Sequence, residues 1–494
     1  QRFHMASEPP HTRLARERCA IFPFDTAKAS NTFMPERYTP KDWPANKFAA
    51  ELWIAQALVH HPWRVDSVRH ADLVLMESNL SMACRVGKMF SGRKMWKQLS
   101  KALGTGEWDG KTGVRGQGSP HPLLSEMRNS TTAAVVLTDN ECPPPWTGFG
   151  HPERPVIKLK DHGPGKYDAV APFVLSRPPW LVGRPRAMQT PSLVPWADRK
   201  LLFFAGHVPK LYIQPTRYLI WKQIRRWPKV TAISATINCT IGSMVICKEI
   251  RNCSEQRVRN FCVPFCQSHV LDDLRVSIND QPGHFKNFKL PAAPTIRRCG
   301  RGRLAIIKQC RSYKRVNFTE ELPDMAAATR NLPSREYFQN AMGHRFCLAA
   351  PGDFVSTPKI TEYVAMGAAG GCLPLMVLSG EAWRTLPYVR WIDWCKIAFI
   401  VDEKTASTNM ERVLRKLEQV SADQAAAMQQ ELIAVRDAFV WRDFRPVPPN
   451  ELNRTEAPSA VDFLLGELCE AAKRRRLGLP APPPMGGPLS RCML

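Results

Sequence analysis

The chain has 494 residues, 44% of them hydrophobic, with 43 prolines and a formal net charge of +25. That length and apolar fraction exclude a wholly disordered chain and leave room for two or three domains. The charge favours an anionic partner (nucleic acid, an anionic membrane surface, an acidic polysaccharide or a nucleotide diphosphate) without choosing among them.

In chain order, residues 1–36 are polar and without period and are expected to be poorly ordered. KFAAELWIAQALVHHP, from Lys47, reads as a helix, and ADLVLME (71–77) as a short buried strand. Residues 82–104 read as a basic helical stretch and 104–120 as a Gly-rich loop. AAVVLTDN (133–140), VIKLKD and YDAVAPFV continue as strands of the continuous apolar kind that parallel sheets use. A Pro-rich run at 178–198 reads as a linker.

RKLLFFAGH (199–207) opens a second series, followed by a helix from Thr216 to Trp227. Residues 334–343 read as a helix, and FCLAA, CLPLMVL (372–378) and KIAFIV (396–401) as strands. Met410, Val413, Leu414 and Leu417 give an amphipathic helix, Leu432, Val435 and Phe439 another. The basic, then Pro/Gly-rich end after residue 471 is expected to be a flexible tail. Strands alternating with helices imply an α/β fold with parallel sheets in two halves, whose ligands sit at the carboxyl ends of the strands.

Of the 15 cysteines, Cys239, Cys247, Cys253, Cys262, Cys266, Cys299 and Cys310 fall in one stretch without a Cys-x-x-Cys pair. That arrangement argues for disulfides and an oxidising compartment over a zinc site. Asn-x-Ser/Thr sites at Asn79, Asn129, Asn238, Asn252, Asn317 and Asn453 fit a secretory lumen. No apolar run approaches the ~18 residues of a membrane span, so any anchor is expected outside this chain.

The segment FCLAAPGDFVSTPKITE (346–362) carries the most chemistry. A strand ends near Ala349, Gly352 permits a close turn, Ser356 or Thr357 can cap a helix, and Pro358 suits its first position. Unpaired N–H groups at such a helix start suit phosphate. Lys359 can pair with phosphates and Glu362, one turn on, can accept bonds from ribose hydroxyls. The plainer alternative is an exposed i, i+3 ion pair.

These residues resemble the exostosin-like glycosyltransferases, glycosyltransferase family 47. The family pattern F-C-L-x-P-x-G-D, a Ser-rich stretch, Arg, an acidic residue and G-C-I-P-V is similar to FCLAAPGDFVSTPKITEYVAMGAAGGCLPLMV. HPWRVDSVRHADLVLME, AAVVLTDN, DAVAPFV, RKLLFFAG and LPYVRWIDWCKIAFIV resemble further family segments in the same order, over roughly residues 38–440. Lys359 stands where the family has Arg, the stretch from Glu362 to Cys372 is longer, and the insertion at 236–300 is additional.

The resemblance implies a GT-B fold, two Rossmann-like doubly wound domains facing a cleft. These would be an acceptor-side domain at 37–185 and a nucleotide-sugar domain at 186–440 that carries the Cys-rich insertion 236–300. A helix and the flexible tail would follow at 441–494. It implies inverting, metal-independent transfer of a sugar from a nucleotide-sugar to a glycan or glycoprotein acceptor, an acidic one suiting the basic surface, in the Golgi or another secretory membrane compartment. No cofactor and no specific nucleic acid are expected.

By motif, Gly206, Arg217, Gly352, Asp353, Ser356, Lys359 and Glu362 would line the donor site. Asp139, at the end of a strand, would be the catalytic base, in preference to Glu77. The competing readings are a catalytically inactive glycan- or nucleotide-binding homologue, which the Lys359 replacement and the lengthened Gly/Ala segment motivate, and a nucleic-acid binder using the basic run 473–476.

Overall fold

The structure, a computed structural model, describes residues 14, 18–25, 50–77, 107–108, 114–115, 133–137, 156–160, 169–172, 194–206, 215–225, 227–234, 334–351, 357–378, 386–441, 458–480 and 482–494. The Cys-rich stretch 236–300, the basic stretch 82–104 and all six Asn-x-Ser/Thr asparagines lie outside them.

The chain is α/β with parallel sheets. The first sheet holds β1 (Ile21–Asp25) and β2 (Leu73–Glu77), with α1 (Ala50–Leu58) between them in sequence. A two-stranded antiparallel ribbon, β3 (Glu107–Trp108) and β4 (Val114–Arg115), falls within the stretch expected to be a loop. β5 (Ala133–Leu137), β6 (Val156–Lys160) and β7 (Ala169–Val170) complete the sheet in the order β1-β2-β5-β6-β7, every pairing parallel. Residues 1–36 therefore do not form a uniformly unstructured lead-in. Ile21–Asp25 is an edge strand in register with Leu73–Glu77; Ile21 joins Leu73 and Leu75 in the buried core, and Phe24 is buried as well.

The second sheet is built from β8 (Lys200–Gly206), β9 (Val230–Ser234), β10 (His344–Ala349), β11 (Leu373–Leu378) and β12 (Phe399–Asp402). Its order is β12-β11-β10-β8-β9, again all parallel. The chain thus moves outward from β8 to β9, then crosses back to the other side of β8 for β10. Such a reversal opens a crevice at the carboxyl ends of the two strands that flank it. It is present in the second sheet only; the described strands of the first follow chain order, which departs from the doubly wound pattern expected of both halves.

The helices of this half are α2 (Pro215–Ile224), α3 (Ser334–Met342), α4 (Lys359–Ala368), α5 (Trp394–Ile397), α6 (Glu403–Thr408), α7 (Met410–Glu418) and α8 (Ala422–Val435). α5 takes the first residues of the run expected to be one strand from Lys396, so β12 starts only at Phe399. In α7 the four apolar residues at i, i+3, i+4 and i+7 are all buried, and Asn409 caps its first turn by accepting from the Arg412 N–H. α8 opens with a capping box between Ser421 and Gln424.

The C-terminal residues overturn a second expectation. The stretch after residue 471 is folded: α9 (Ala460–Arg476) runs through the basic cluster and ends in a Schellman motif. Gly478, at φ 64°, allows Gly478 N–H to bond to Arg475 O at 3.1 Å and Leu479 N–H to Arg474 O at 2.9 Å. The basic side chains thus sit at the helix end whose dipole they complement. Residues 482–494 then lie along the second sheet. Met485 N–H donates to Val389 O, Leu494 N–H to Ile400 O of β12, Arg491 pairs with Asp393, and Cys492 is disulfide-bonded to Cys395. This strap covers the edge that β12 would otherwise expose.

α9 also ties the two halves of the chain. Cys469 is disulfide-bonded to Cys19, just before β1, and Asp462 accepts from His61 at 3.2 Å. Burial opposes ionisation of Asp462. The hydrogen bonds from His61 and Ser459 outweigh it and hold the carboxyl below its ordinary range. On the other side Phe463 stacks edge-on with Tyr388 and Trp391, and Tyr388 donates to Ala460 O at 3.0 Å.

Two predictions follow from this packing. A Cβ on Gly466 would lie 2.5 Å from Trp391 Cη2 and 2.9 Å from Leu14 Cδ1, whereas one on Gly478 meets nothing within 4 Å. Gly466→Ala should therefore cost roughly 1–3 kcal/mol in urea unfolding through overpacking, against about 1 kcal/mol for Gly478→Ala, where only the left-handed backbone is penalised.

His344 is buried, its Nδ1 hydrogen bonded to Asn340 O and its Nε2 accepting from Thr231, so the ring is neutral and its pKa falls to about 4 through desolvation. The unfolded chain takes up this proton below the ordinary value of 6.5 and the folded chain does not. Stability should then fall by about 2 kcal/mol between about pH 6.5 and pH 5 from this residue alone. Urea midpoints of the wild type and His344→Gln should show a shallower pH slope in the variant over that range.

Candidate functional site at the strand-order reversal

β8 ends at Gly206 and β10 at Ala349, the two strands that flank the reversal. Arg217, in the first turn of α2, spans the gap between them. Its Nε and Nη2 donate to Ala350 O at 3.3 and 3.0 Å. A Cβ on Gly206 would lie 3.6 Å from Arg217 Nη1, at van der Waals distance, so the guanidinium packs directly over this glycine.

α2 is itself fixed. Thr216 donates to the Glu403 carboxylate, Gln223 donates to Ser407 O at 2.8 Å, and Gln223 Oε1 accepts from Met410 N–H at 2.7 Å. Arg217 therefore projects from a helix pinned to α6 and α7, which holds its cation at the crevice.

α4 starts on the other side of β10. Thr357 Oγ1 receives the Lys359 N–H at 3.4 Å, and Pro358 is already in helical conformation. Pro358 holds the cap position, so Thr357, one of the two candidates of the sequence, makes this long bond from one residue earlier; the other, Ser356, lies outside the described residues. Apart from Lys359 and Glu362, every residue of this ten-residue helix is buried.

Lys359 and Glu362 do form an i, i+3 ion pair, at 2.8 Å, but it is not an exposed one: their side chains keep only 26% and 15% of their accessible surface. The reason is Tyr337, on α3. Its hydroxyl accepts from Lys359 Nζ at 2.7 Å and donates to Glu362 Oε2 at 2.9 Å, while the ammonium lies 3.9 Å from the ring centroid.

The Tyr363 hydroxyl lies 3.2 Å from that of Tyr337. Burial, reinforced by the Glu362 charge, pushes both phenols well above their ordinary range, so both hydroxyls keep their protons. The Arg217 charge acts on Tyr363 in the opposite sense, favouring its ionised form.

Of the sequence-derived candidates, Gly206 ends β8 beside Arg217, Arg217 bonds to Ala350 just past β10, and Lys359 and Glu362 lie in the first turn of α4, the helix that follows β10. Gly352, Asp353 and Ser356 lie outside the described residues, as does Asp139, two residues beyond the last residue of β5. Glu77 is the last residue of β2, at the carboxyl end of the first sheet. Sequence reasoning missed Tyr337 and Tyr363. Neither has a spacing that ties it to Lys359 before α3 and α4 are packed.

Among the described residues no group of three or more His, Cys, Asp or Glu side chains is placed to hold a metal ion, and no helix is long and apolar enough to cross a membrane. No family model matches this chain, and no curated protein matches it.

Proposed function

We propose that this chain is an exostosin-like glycosyltransferase of the GT-B type, which moves a sugar from a nucleotide-diphosphate-sugar to a glycan or glycoprotein acceptor with inversion. The observation that carries the reading is that Arg217 bonds to Ala350, just past β10 at the reversal of strand order, while Lys359 and Glu362 pair in the first turn of the helix that follows β10. Parallel sheets bind nucleotides at such points. Two cations and a helix start are the groups a leaving diphosphate needs when no metal serves it. The ordered run of motifs from residue 61 to residue 401 supports the family reading independently of the crevice.

In this mechanism Lys359, Arg217 and the N–H groups of α4 stabilise the diphosphate as the glycosidic bond breaks, and Glu362 accepts from the ribose. Asp139 takes the proton of the acceptor hydroxyl as that oxygen attacks the sugar. The acceptor-side domain would span 37–185 and the donor domain 186–440. The disulfides Cys19–Cys469, Cys347–Cys372 and Cys395–Cys492 support a site of action in the oxidising secretory pathway.

A second reading, an inactive homologue that binds nucleotide or glycan, draws on the closed ion pair: Lys359 replaces the family's Arg and is already neutralised by Glu362.

A panel of nucleoside diphosphates and nucleotide-sugars, read by thermal shift, tests the proposal. One nucleotide class should stabilise the protein, by about 2.7 kcal/mol at a hundredfold excess over Kd, and Glu362→Ala and Arg217→Ala should abolish the shift. No stabilisation by any of them would refute donor binding. Stabilisation without transfer of sugar to any acceptor would favour the inactive homologue.

A further inference from the structure

Both hydrogen bonds to the Glu362 carboxylate converge on one oxygen. Oε2 accepts from Lys359 Nζ at 2.8 Å and from the Tyr337 hydroxyl at 2.9 Å, and Lys359 Nζ in turn donates to Tyr337 at 2.7 Å. The three groups close a triangle. Among the described residues Oε1 of Glu362 has no partner, and Lys359 keeps one of its three N–H donors uncommitted.

We propose that Tyr337 is a positioning residue: it locks one oxygen of Glu362 and the lysine ammonium together, so that Oε1 and one Lys359 N–H face a ligand as a fixed acceptor–donor pair. As to which ligand, the inference rests on the nucleotide reading above. The chemistry that fits is a sugar hydroxyl donating to Oε1 beside an anionic oxygen accepting from Lys359, as in a ribonucleoside diphosphate.

The ring of Tyr337 is held by tilted and edge-on contacts with Phe203 of β8 and with Phe338, so its hydroxyl is a rigid reference for both partners. Tyr363 sits behind it, its hydroxyl touching that of Tyr337 and neither charged group within the contacts described. Removing the Tyr363 hydroxyl should therefore leave the triangle closed, whereas removing the Tyr337 hydroxyl opens it.

Competitive acetylation with acetic anhydride, read by mass spectrometry on the unliganded full chain, tests the lock without any nucleotide. In the wild type Lys359 should react several-fold more slowly than exposed Lys404. Tyr337→Phe should raise the Lys359 rate several-fold, and Tyr363→Phe should not. Equal rates at Lys359 and Lys404 in the wild type, a result that needs no variant to fold, would overturn the proposal, as would an unchanged rate in a folded Tyr337→Phe protein.

The second readout is the affinity ratio between a ribonucleoside diphosphate and its 2′,3′-dideoxy form. It should be about tenfold or more in the wild type, the loss expected for one hydrogen bond to a charged group, and fall toward one in Tyr337→Phe as the carboxylate swings free. Equal weakening of both ligands would mean that Tyr337 only supports the fold. A lock seen by acetylation in a protein that binds no nucleotide would uphold the positioning role and refute the nucleotide reading instead.

Discussion

α4 is enclosed along nearly its whole length, and its first turn is the one place where it meets solvent. Ile360, Thr361 and every residue from Tyr363 to Ala368 are buried, and at Gly367 even a methyl group would come within 2.6 Å of Leu432 Cδ1 and 3.2 Å of Cys372 O. A helix held so closely has little freedom to shift. Charged groups can be accommodated only in its first turn, and there they must be satisfied locally because they are largely cut off from water. Lys359, Glu362 and Tyr337 satisfy one another, and the amino end of α4 becomes a fixed polar feature on an otherwise buried helix.

The sheet decides where that feature points. β10 delivers the chain to the point beside β8 where strand order reverses, the kind of point at which parallel sheets form a ligand crevice. Arg217 enters the same space from α2, anchored to the Ala350 carbonyl. The disulfide Cys347–Cys372 joins β10 to the residue before β11, on the two sides of α4 in sequence. It brackets the loop and helix that carry the candidate site, and its two sulfurs are fully buried. Farther away, α9 binds the first sheet to the second through one disulfide, one histidine–carboxylate contact and a cluster of aromatic rings.

Much of this was legible in the sequence where one kind of force dominates. LLFF, FCLAA and LPLMVL read as buried parallel strands because both faces of each are covered, and the spacing of Met410, Val413, Leu414 and Leu417 fixed the inward face of α7. Lys359 and Glu362 were legible because capping chemistry marks the start of a helix.

What could not be read depends on distant partners. IFPFD looks like part of a polar lead-in until Leu73–Glu77 pairs with it. The proline-rich end looks flexible until Cys395 and Ile400 are seen to hold it. Tyr337 looks like a core aromatic because only the packing of α3 against the sheet brings its hydroxyl between a lysine and a glutamate 22 and 25 residues away. The reversal in the second sheet, and its absence from the described strands of the first, are matters of strand order that periodicity does not encode.

The central claim is that the amino end of α4 is the anion-binding feature of this protein. Amide hydrogen exchange, with and without a saturating ribonucleoside diphosphate, tests it most directly. The account predicts slowed exchange at residues 357–363 and in the first turn of α2 around Arg217, with α9 unchanged. Protection confined to α9 or to the C-terminal strap, with no change at 357–363, would contradict it.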